Sequence, residues 1–263
     1  MTTSLEYLVG LEGTEVTLNS SPQPLFHTDT WEIVEKLEEN AEVADERDVA
    51  DGLGPSDVAG KFLCRPAGSD AQKIAFMRIY KQIPIAGTEF QKPTIRAAQA
   101  VESPDYIELI ALKDLREQGC DAVPKLLGYH LGKQDEDDIV PGGYITYLVW
   151  EKVPGDSLDR KGFWSYPLSK REEIRHKFCE AYKKLVKCGY RPLMSVSSKI
   201  IYDWNTGEMH ISGFSNAVRI DTSEEWNDRI YIWYSLVLKS KEMDQFFPVT
   251  ATDVLFDKEG WRW

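Results

Sequence analysis

The sequence lacks any long run of apolar residues. A helix that spans a bilayer needs roughly 18–20 consecutive, predominantly apolar residues, and no such run occurs among the 263 residues. The first six residues, MTTSLE, also lack the basic stretch followed by apolar residues that marks a secretory signal. We therefore expect a cytoplasmic protein that does not associate with a membrane.

Cysteine is scarce, with only Cys64, Cys120, Cys179 and Cys188 present. Four cysteines in a chain of this length do not make the framework of a disulfide-rich domain. Their spacing contains no C-x-x-C pair, which a structural zinc site usually supplies. Because free cysteine is among the most buried residue types, we interpret all four as buried thiols. No metal ion and no cofactor is predicted.

Basic residues are outnumbered by acidic ones, and the imbalance is local. The formal net charge is −12, and residues 1–60 hold 14 of the 43 acidic residues but only Lys36 and Arg47 as basic ones. The rest of the chain carries 29 residues of each sign. A basic face for nucleic acid is therefore not expected. A nucleotide pocket needs only a few local charges, so composition leaves that possibility open.

The first 59 residues are predicted to form an acidic extension. Within it, residues 30–39 are predicted to be a helix, because Trp31, Val34 and Leu37 recur at helical spacing. Asp29 or Thr30 is of a type that caps helices. Residues 41–51 continue the acidic bias and are predicted to be a linker.

From residue 60 onward, strand patterns and helix patterns alternate. Apolar and β-branched runs predict strands at 61–64, 73–83, 125–131 and 144–150. Helices are predicted at 102–118, at 223–247 and from the capping box Ser169-x-x-Glu172 to Cys188. Residues 199–203 and 208–212, joined by a turn with Asn205 and Gly207, predict a β-hairpin. The chain is therefore expected to be an α+β protein.

Three segments carry a resemblance to a known family. Glu151-Lys-Val-Pro-Gly-Asp-Ser-Leu158 looks like the hinge that joins the two lobes of a kinase, 187–203 looks like its catalytic-loop stretch, and 208–217 looks like the strand with the Asp-Phe-Gly motif. In this order, residues 60–240 resemble the protein-kinase-like superfamily, within it the aminoglycoside- and choline-kinase branch. The order and composition of these segments are similar to those of the kinase-like domain proteins of filamentous fungi.

The resemblance implies a bilobal fold. Residues 60–150 would form a small β-rich N-lobe with one main helix, and residues 151–263 a reduced, mostly helical C-lobe, with residues 1–59 as the extension. A ligand cleft would lie between the lobes. The residues that the resemblance implies for this cleft are Arg78, Glu108, Glu151, Val153, Lys199, Tyr202 and Asp203.

Three positions that phosphoryl transfer requires are replaced. The reaction needs an Asp that orients the attacking hydroxyl and side chains that hold Mg²⁺. Met194 stands at the position of the catalytic Asp, Lys199 at that of the metal-binding Asn, and Gly213 at that of the Asp in Asp-Phe-Gly. A thioether takes no proton from a hydroxyl and an ammonium repels Mg²⁺. No acidic residue between Glu180 and Asp203 replaces them.

The phosphate-binding lysine of the family is also changed. Arg78 stands in its place, and it is expected to pair with Glu108 on the following helix. Arginine keeps the positive charge, but its planar guanidinium binds phosphate with a different geometry from that of a compact ammonium. Mg²⁺-dependent kinase activity is therefore not expected.

Two classes of function remain open. The first is a pseudokinase-type binding or scaffold protein that recognises a protein partner through its acidic first 60 residues or its Trp-rich C-terminal region. In this class Trp261 and Trp263 form either a docking element or a lid on the core. Independently of the class of function, Met194 is predicted to fill an apolar floor beside Leu193 and Val196.

The second class is an enzyme that uses a kinase-like fold for other chemistry, since a fold does not dictate function. An example is a cyclase that acts on a small molecule bound between the lobes. Its candidate polar residues are Arg78, Glu108, Tyr202 and Asp203. A large, dry, aromatic cleft favours this enzyme, whereas an exposed apolar patch favours the binding protein.

Overall fold

The computed structural model describes residues 5–18, 30–68, 74–239, 249 and 251–263. The chain divides into two units. The first comprises Met1–Asp105 and Leu126–Lys152, and the second comprises Tyr106–Lys125 and Val153–Trp263. The predicted N-lobe ends at residue 150, and all residues from Val153 onward belong to the second unit.

The first unit is built on a six-stranded antiparallel sheet in the order β1–β2–β3–β4–β6–β5. Two short helices, α1 (Glu46–Ala50) and α2 (Pro93–Ala97), lie in its connections. The predicted strands at 61–64, 73–83, 125–131 and 144–150 are confirmed, although residue 73 itself lies outside the described residues. The strands are β1 (Glu15–Thr17), β2 (Thr30–Glu42), β3 (Asp57–Pro66), β4 (Ala75–Gln82), β5 (Leu126–Lys133) and β6 (Tyr144–Glu151).

The helix predicted at residues 30–39 is wrong, because these residues lie in β2. Trp31 and Ile33 are buried at strand spacing, whereas Val34 and Leu37 are 38% and 43% exposed. The register with β3 shifts twice, between residues 33 and 35 and between 36 and 38. Each such bulge interrupts the alternation of inward and outward side chains. The interrupted pattern therefore imitates helical spacing.

The acidic extension contributes directly to the sheet. Strand β2 pairs along its length with β3, so the predicted boundary at residue 60 falls inside a strand. The predicted linker at 41–51 contains α1, which begins with a capping box: Asp45 Oδ1 accepts from Asp48 N at 2.9 Å, and Asp48 Oδ2 accepts from Asp45 N at 3.0 Å. Apolar residues from five strands and the preceding segment form the core of the first unit: Leu8, Trp31, Ile33, Val58, Phe62, Met77, Ile79, Leu127 and Val149.

The second unit holds most of the helical residues. Its helices are α3 (Ile107–Glu117), α4 (Arg160–Phe163), α5 (Leu168–Lys187) and α6 (Arg229–Trp233). Strands β7 (Asp156–Ser157), β9 (Ile200–Tyr202) and β10 (Met209–Ile211) form a sheet in the order β10–β9–β7, and β8 (Tyr190–Pro192) pairs with β11 (Ala217–Arg219). The β9–β10 pair confirms the predicted hairpin, and the described chain is an α+β protein.

Helix α5 packs its apolar face into the core of the second unit. Phe178 is fully buried, and its ring centroid lies 4.6 Å from that of Tyr234, 5.6 Å from that of Tyr182 and 6.1 Å from that of Tyr231. Aromatic rings at these separations gain contact energy beyond simple burial. This cluster explains why so many aromatic residues lie in the second half of the sequence.

The start of α5 differs from the prediction. The capping box Ser169-x-x-Glu172 does not form, since Pro167 is the N-cap and no side chain of the helix caps it. The amide of Leu168 instead donates to Asp253 Oδ2 at 2.5 Å. A carboxylate at a helix N-terminus also interacts favourably with the helix dipole. The cap therefore comes from a residue 85 positions later in the chain.

Two arginines of α5 are buried beside residues 251–263. Arg171 Nη2 donates to the backbone and side-chain oxygens of Asp253 at 3.1 and 2.9 Å, and Nη1 donates to the Trp263 backbone oxygen at 3.1 Å. Burial lowers the pKa of the Arg171 guanidinium. These hydrogen bonds attach the C-terminal segment to the helix.

Arg175 is 1% exposed. Its Nε donates to the Leu236 backbone oxygen at 2.9 Å, and its guanidinium pairs with Glu172. The Trp263 ring centroid lies 5.5 Å from the guanidinium carbon. Burial lowers the pKa of Arg175 to about 10. Because Trp263 packs against a buried residue, the lid interpretation of the C-terminal tryptophans is favoured over the docking element.

The helix predicted at 223–247 is largely wrong. Among its described residues, 223–239, only α6 forms. Ser235, two residues beyond the end of α6, has a left-handed φ of 59°, which a continuing helix does not allow. Residues 240–248 lie outside the described part of the chain. Among the described residues, no helix has the length and apolar composition that crossing a membrane requires.

The prediction of four buried thiols holds for two. Cys64 and Cys120 are buried, whereas Cys179 and Cys188 are partly exposed. Both exceptions lie on α5 or at its end, where the helix surface meets solvent. Burial raises the pKa of the Cys64 thiol far above its usual range, so this residue acts as a small apolar side chain.

Candidate functional site

Two strand pairings of the second unit, β8 with β11 and β9 with β10, bring together the segments that contain Met194, Lys199 and Gly213. The segment 193–199 follows β8, and 212–216 precedes β11, the strand that pairs with β8. Leu193 N donates to the Asn216 oxygen at 2.9 Å, and Ser212 N donates to the Lys199 oxygen at 2.8 Å. Both ends of the first segment are thereby tied to the second.

Lys199 and Gly213 are in direct contact. Gly213 has a φ of 94°, in the left-handed region that favours glycine. A Cβ atom added at residue 213 would lie 2.6 Å from Cδ and 2.9 Å from Cε of Lys199. The stem of the lysine therefore fills the space that a side chain at 213 would need. The two positions that the resemblance assigns to Mg²⁺ ligation meet, and together they bring one ammonium and no carboxylate.

The prediction that Met194 fills an apolar floor is wrong. The exposed fractions are 60% for Met194, 58% for Leu193 and 38% for Val196. The backbone hydrogen bonds of this segment fix its ends, at Leu193 and Lys199, and leave these three side chains pointing outward. We call the three residues the apolar loop. It contains Met194, the position that the resemblance assigns to the catalytic Asp.

A second exposed apolar residue lies near this loop. Trp233 is 45% exposed, and the guanidinium of Arg191, in β8, lies 5.6 Å from its ring centroid. Arg191 is two residues before Leu193, and Ser195 lies beside Tyr234. The apolar loop and the end of α6 are therefore neighbours.

The hydroxyl of Tyr202 lies between two charged groups of α5. It donates to Glu173 Oε1 at 2.6 Å and accepts from Lys170 Nζ at 2.9 Å. The Trp204 ring packs against the Tyr202 ring with centroids 4.8 Å apart. Burial and then the hydrogen bond with Glu173 raise the pKa of Tyr202. The phenol therefore stays protonated at neutral pH and holds the hairpin to the helix as a hydrogen-bond donor.

Replacing Tyr202 with Phe is expected to raise the pKa of Glu173. The Tyr202 hydrogen bond is the main cause that holds the pKa of Glu173 below its usual range, ahead of Lys170, because a donor stabilises the carboxylate over the acid. The stability that Glu173 contributes is present above its unfolded pKa and is lost as the pH falls through its folded pKa. Carboxyl ¹³C NMR titration measures the change.

Asp221 is the internal reference for that titration. Its pKa is lowered by hydrogen bonds from Ser223, first from the backbone and then from the side chain, in a turn of its own. The Tyr202→Phe change should leave the Asp221 curve in place. An unchanged Glu173 curve would mean that Lys170 alone sets the charge state of this carboxylate.

Asp203, a cleft residue in the resemblance, closes the turn between β9 and β10. Its Oδ1 accepts from Asn205 N at 2.9 Å, and its Oδ2 accepts from Thr206 Oγ1 at 2.8 Å. The bond from Asn205, followed by that from Thr206, lowers the pKa of Asp203. Both carboxylate oxygens are thus engaged in an Asx-type turn. The described residues contain no cluster of three or more His, Cys, Asp or Glu side chains suited to a metal ion.

Arg78 lies in β4 of the first unit and is 9% exposed. Its Nη1 donates to Glu38 Oε1, on β2, at 3.0 Å. The predicted partner, Glu108, is buried in the first turn of α3, which belongs to the second unit. The Arg78–Glu108 pair therefore stays a prediction. Sequence reasoning did not identify Glu38, because the predicted helix placed it in a different element.

The other two residues of the predicted cleft flank the change of unit. Glu151 ends β6 opposite Ala75, and Val153 is a buried residue at the start of the second unit. A ligand cleft between the units stays a prediction.

Gly155 is a residue whose role the sequence did not reveal. Its φ is 99°, and an added Cβ would lie 2.5 Å from the Tyr202 oxygen and 2.7 Å from the Asp203 nitrogen. The glycine allows β7 to approach β9, with which it pairs. The only signal in the sequence is the Pro154-Gly155 dipeptide, which indicates a turn without indicating close packing.

The comparisons by sequence and by structure have different outcomes. The sequence matches no known family model and no curated protein. Among solved structures, the chain is similar to the kinase PK-1 of the Cydia pomonella granulovirus, with 14% identity and a TM-score of 0.36. The similarity covers 75% of this chain and 55% of the viral kinase, so the chain spans about half the length of that protein. At this level the similarity transfers no activity.

Proposed function

We propose that this chain is a pseudokinase-type binding protein with a kinase-like fold and no Mg²⁺-dependent phosphotransfer. The observation that carries the proposal is the contact between Lys199 and Gly213, in which the lysine stem occupies the space of a side chain at 213. Mg²⁺ takes oxygen ligands in octahedral geometry and usually one or two carboxylates. An ammonium beside a glycine supplies neither a side-chain oxygen nor a negative charge.

The nearby acidic residues do not compensate. Asp203 uses both carboxylate oxygens to close the β9–β10 turn. Glu173 accepts hydrogen bonds from Tyr202 and Lys170. These two carboxylates are therefore not free to orient a hydroxyl as a catalytic Asp does.

The kinase-like fold is part of the proposal. Its support is the order of elements: a β-rich first unit, the 151–158 segment, the long helix α5, and then β8, the β9–β10 hairpin and β11. The β8–β11 pairing brackets the segments on which Met194, Lys199 and Gly213 lie. A cytoplasmic location, also proposed, is consistent with four cysteines that form no disulfide bond in the structure.

The binding role is supported by the apolar loop. Exposed apolar residues that lie together, rather than singly, mark interaction sites. Leu193, Met194 and Val196 are exposed in one short segment, with Trp233 nearby. By contrast, Tyr202 and Asp203, two of the candidates for an enzyme with other chemistry, are fully engaged in hydrogen bonds.

The experiment measures the melting temperature of the full chain with ATP alone and with ATP and Mg²⁺, together with phosphate release. We expect Mg²⁺ to add no increase in melting temperature and to cause no phosphate release, since the side chains at both ligand positions lack an oxygen. A Mg²⁺-dependent stabilisation with phosphate release that Lys199→Ala abolishes would overturn the proposal.

A second arm of the experiment tests binding. A photoreactive amino acid replaces Met194 in one preparation and Leu53, which is 75% exposed in the first unit, in the other. In extract, residue 194 is expected to form a discrete protein adduct that residue 53 does not form. Equal labelling at both positions, or none at either, would show that the apolar loop is not a binding surface.

A further inference from the structure

Cys120 and Cys188 lie at the C-terminal ends of two neighbouring helices. Cys120 follows α3 after Gly119, and Cys188 is the C-cap of α5, directly before Gly189. Both glycines have a positive φ, 67° and 77°, so the chain turns sharply at each helix end. The two cysteines are therefore presented by two tight helix ends.

Hydrogen bonds on both sides of the cysteines join the two helix ends. Gln118 Nε2 donates to the Cys188 backbone oxygen at 3.1 Å. Lys184 Nζ donates to Asp121 Oδ2 at 2.8 Å. Gln118 lies two residues before Cys120, and Asp121 lies one residue after it. Their partners at the end of α5 are Cys188 and Lys184, which lie one helical turn apart. These two contacts bring the ends of α3 and α5, and with them Cys120 and Cys188, next to each other.

The thiols themselves interact and differ in environment. The pKa of Cys120 is raised to about 12, first by burial and in smaller part by the neighbouring Cys188 thiol. Cys188 is partly exposed. An exposed thiol meets an oxidant first, while a buried neighbour is placed to react with the product.

We propose that Cys120 and Cys188 form a reversible disulfide, a modification site that closes when the protein meets a peroxide. The Cys188 thiolate attacks one peroxide oxygen, which breaks the O–O bond and gives a sulfenic acid and one water. The Cys120 sulfur then attacks the Cys188 sulfur, and its proton leaves with the sulfenic hydroxyl as a second water. Two thiols lose two electrons in total, and the peroxide gains them.

The position of this pair links it to the rest of the second unit. Strand β8 begins at Tyr190, two residues after Cys188, and leads into the apolar loop. A disulfide would fix the chain at the start of this strand and tie it to the end of α3. The disulfide would therefore change the mobility of the apolar loop although neither cysteine belongs to that loop. It does not depend on the proposed function.

The test oxidises the reduced full chain with hydrogen peroxide, blocks free thiols with N-ethylmaleimide and maps unreduced peptides by mass spectrometry. We expect a linked peptide pair that contains Cys120 and Cys188 and separates on reduction with dithiothreitol. Because the bond closes a long loop, the melting temperature should rise on the order of 5 °C in the oxidised protein.

Two variants make the test specific. Cys188→Ser, a conservative change at a partly exposed site, should abolish both the linked pair and the thermal shift. Cys179→Ser, on the same helix and also partly exposed, should retain both. Peroxide that leaves Cys120 as a free thiol while Cys188 advances to sulfinic acid would overturn the proposal, as would a disulfide that includes Cys179.

Discussion

Gly155→Ala is expected to destabilise the second unit by about 2–5 kcal/mol, from the strain of a left-handed residue that carries a Cβ and from overpacking. The new methyl group would lie 2.5 Å from the oxygen and 2.6 Å from the carbonyl carbon of Tyr202. These are backbone atoms, so no change of side-chain rotamer relieves the clash. The pairing between β7 and β9 must open, which exposes the otherwise buried Tyr202.

The control for this variant is Gly207→Ala in the β9–β10 turn. Gly207 also has a left-handed φ, 73°, but an added Cβ would meet nothing closer than 3.7 Å. Gly207→Ala should therefore lower the free energy of unfolding only by the strain of a left-handed residue that carries a Cβ, about 1–2 kcal/mol. Urea unfolding followed by tryptophan fluorescence measures both, since six of the eight tryptophans lie in the second unit. Equal costs would show that close approach to β9 is not what requires glycine at 155.

Arg175→Ala is expected to cost about 3–5 kcal/mol, because a large buried side chain is removed and a buried carbonyl loses its donor. The Arg175 Nε is 2.9 Å from the Leu236 oxygen, and the guanidinium carbon lies 5.5 Å from the ring centroids of both Phe163 and Trp263. The ion pair with Glu172 contributes little, since that carboxylate is 53% exposed. The loss is therefore mainly one of packing and of the Leu236 hydrogen bond.

Two further variants separate these contributions. Arg175→Met keeps a long unbranched stem and should cost about 1–3 kcal/mol, the penalty of the unpaired carbonyl. Lys177 lies on the exposed side of the same helix, where its Nζ is 3.7 Å from Glu180 Oε2. The free energy of unfolding of Lys177→Ala should therefore stay within about 0.5 kcal/mol of that of the parent. The free energy of unfolding from urea titrations is the measurement. A cost for Arg175→Ala as small as that of Lys177→Ala would contradict the anchoring role.

The strands at 61–64, 73–83, 125–131 and 144–150 were predicted from runs of apolar, β-branched and aromatic residues. In β3 every second residue is buried from Val58 to Pro66, and the predicted strand at 61–64 covers only the middle of it. In β2 the two register shifts place Val34 and Leu37 outward and break the alternation after Ile33. A bulge is defined by the partner strand, so nothing within residues 30–42 alone indicates it.

The start of α5 shows a different limit. Ser169 and Glu172 fit the local capping pattern, yet the cap is Asp253, and Glu172 pairs with Arg175. Local patterns identify the types of residue that cap a helix, but a carboxylate from a distant segment can displace them. The end of the helix was predicted correctly because Cys188 and Gly189 supply a local stop signal.

The candidate site was predicted in part. The resemblance selected Lys199 and Gly213, and the structure brings these two residues into contact. The resemblance did not indicate that Met194 is exposed, because exposure depends on which other segments pack against the loop. Lys170 and Glu173 were missed as partners of Tyr202, since their pairing depends on the packing of α5 against the β9–β10 hairpin.

The long strand β2 has a consequence for how copies of this protein meet. Strand β1 pairs only with residues 30–32 of β2. Beyond them, Ile33 exchanges backbone hydrogen bonds with Gly13 and Thr14, so the described chain covers the outer edge of β2 only in part. An uncovered edge is a template for pairing with another chain. The side chains of Glu35, Glu38 and Glu42 are exposed on this strand. The Glu39 carboxylate, by contrast, accepts from the amides of Tyr7 and Leu8. If the β2 edges of two copies met, the exposed carboxylates would repel each other. The acidic residues of β2 therefore disfavour self-association of the sheet.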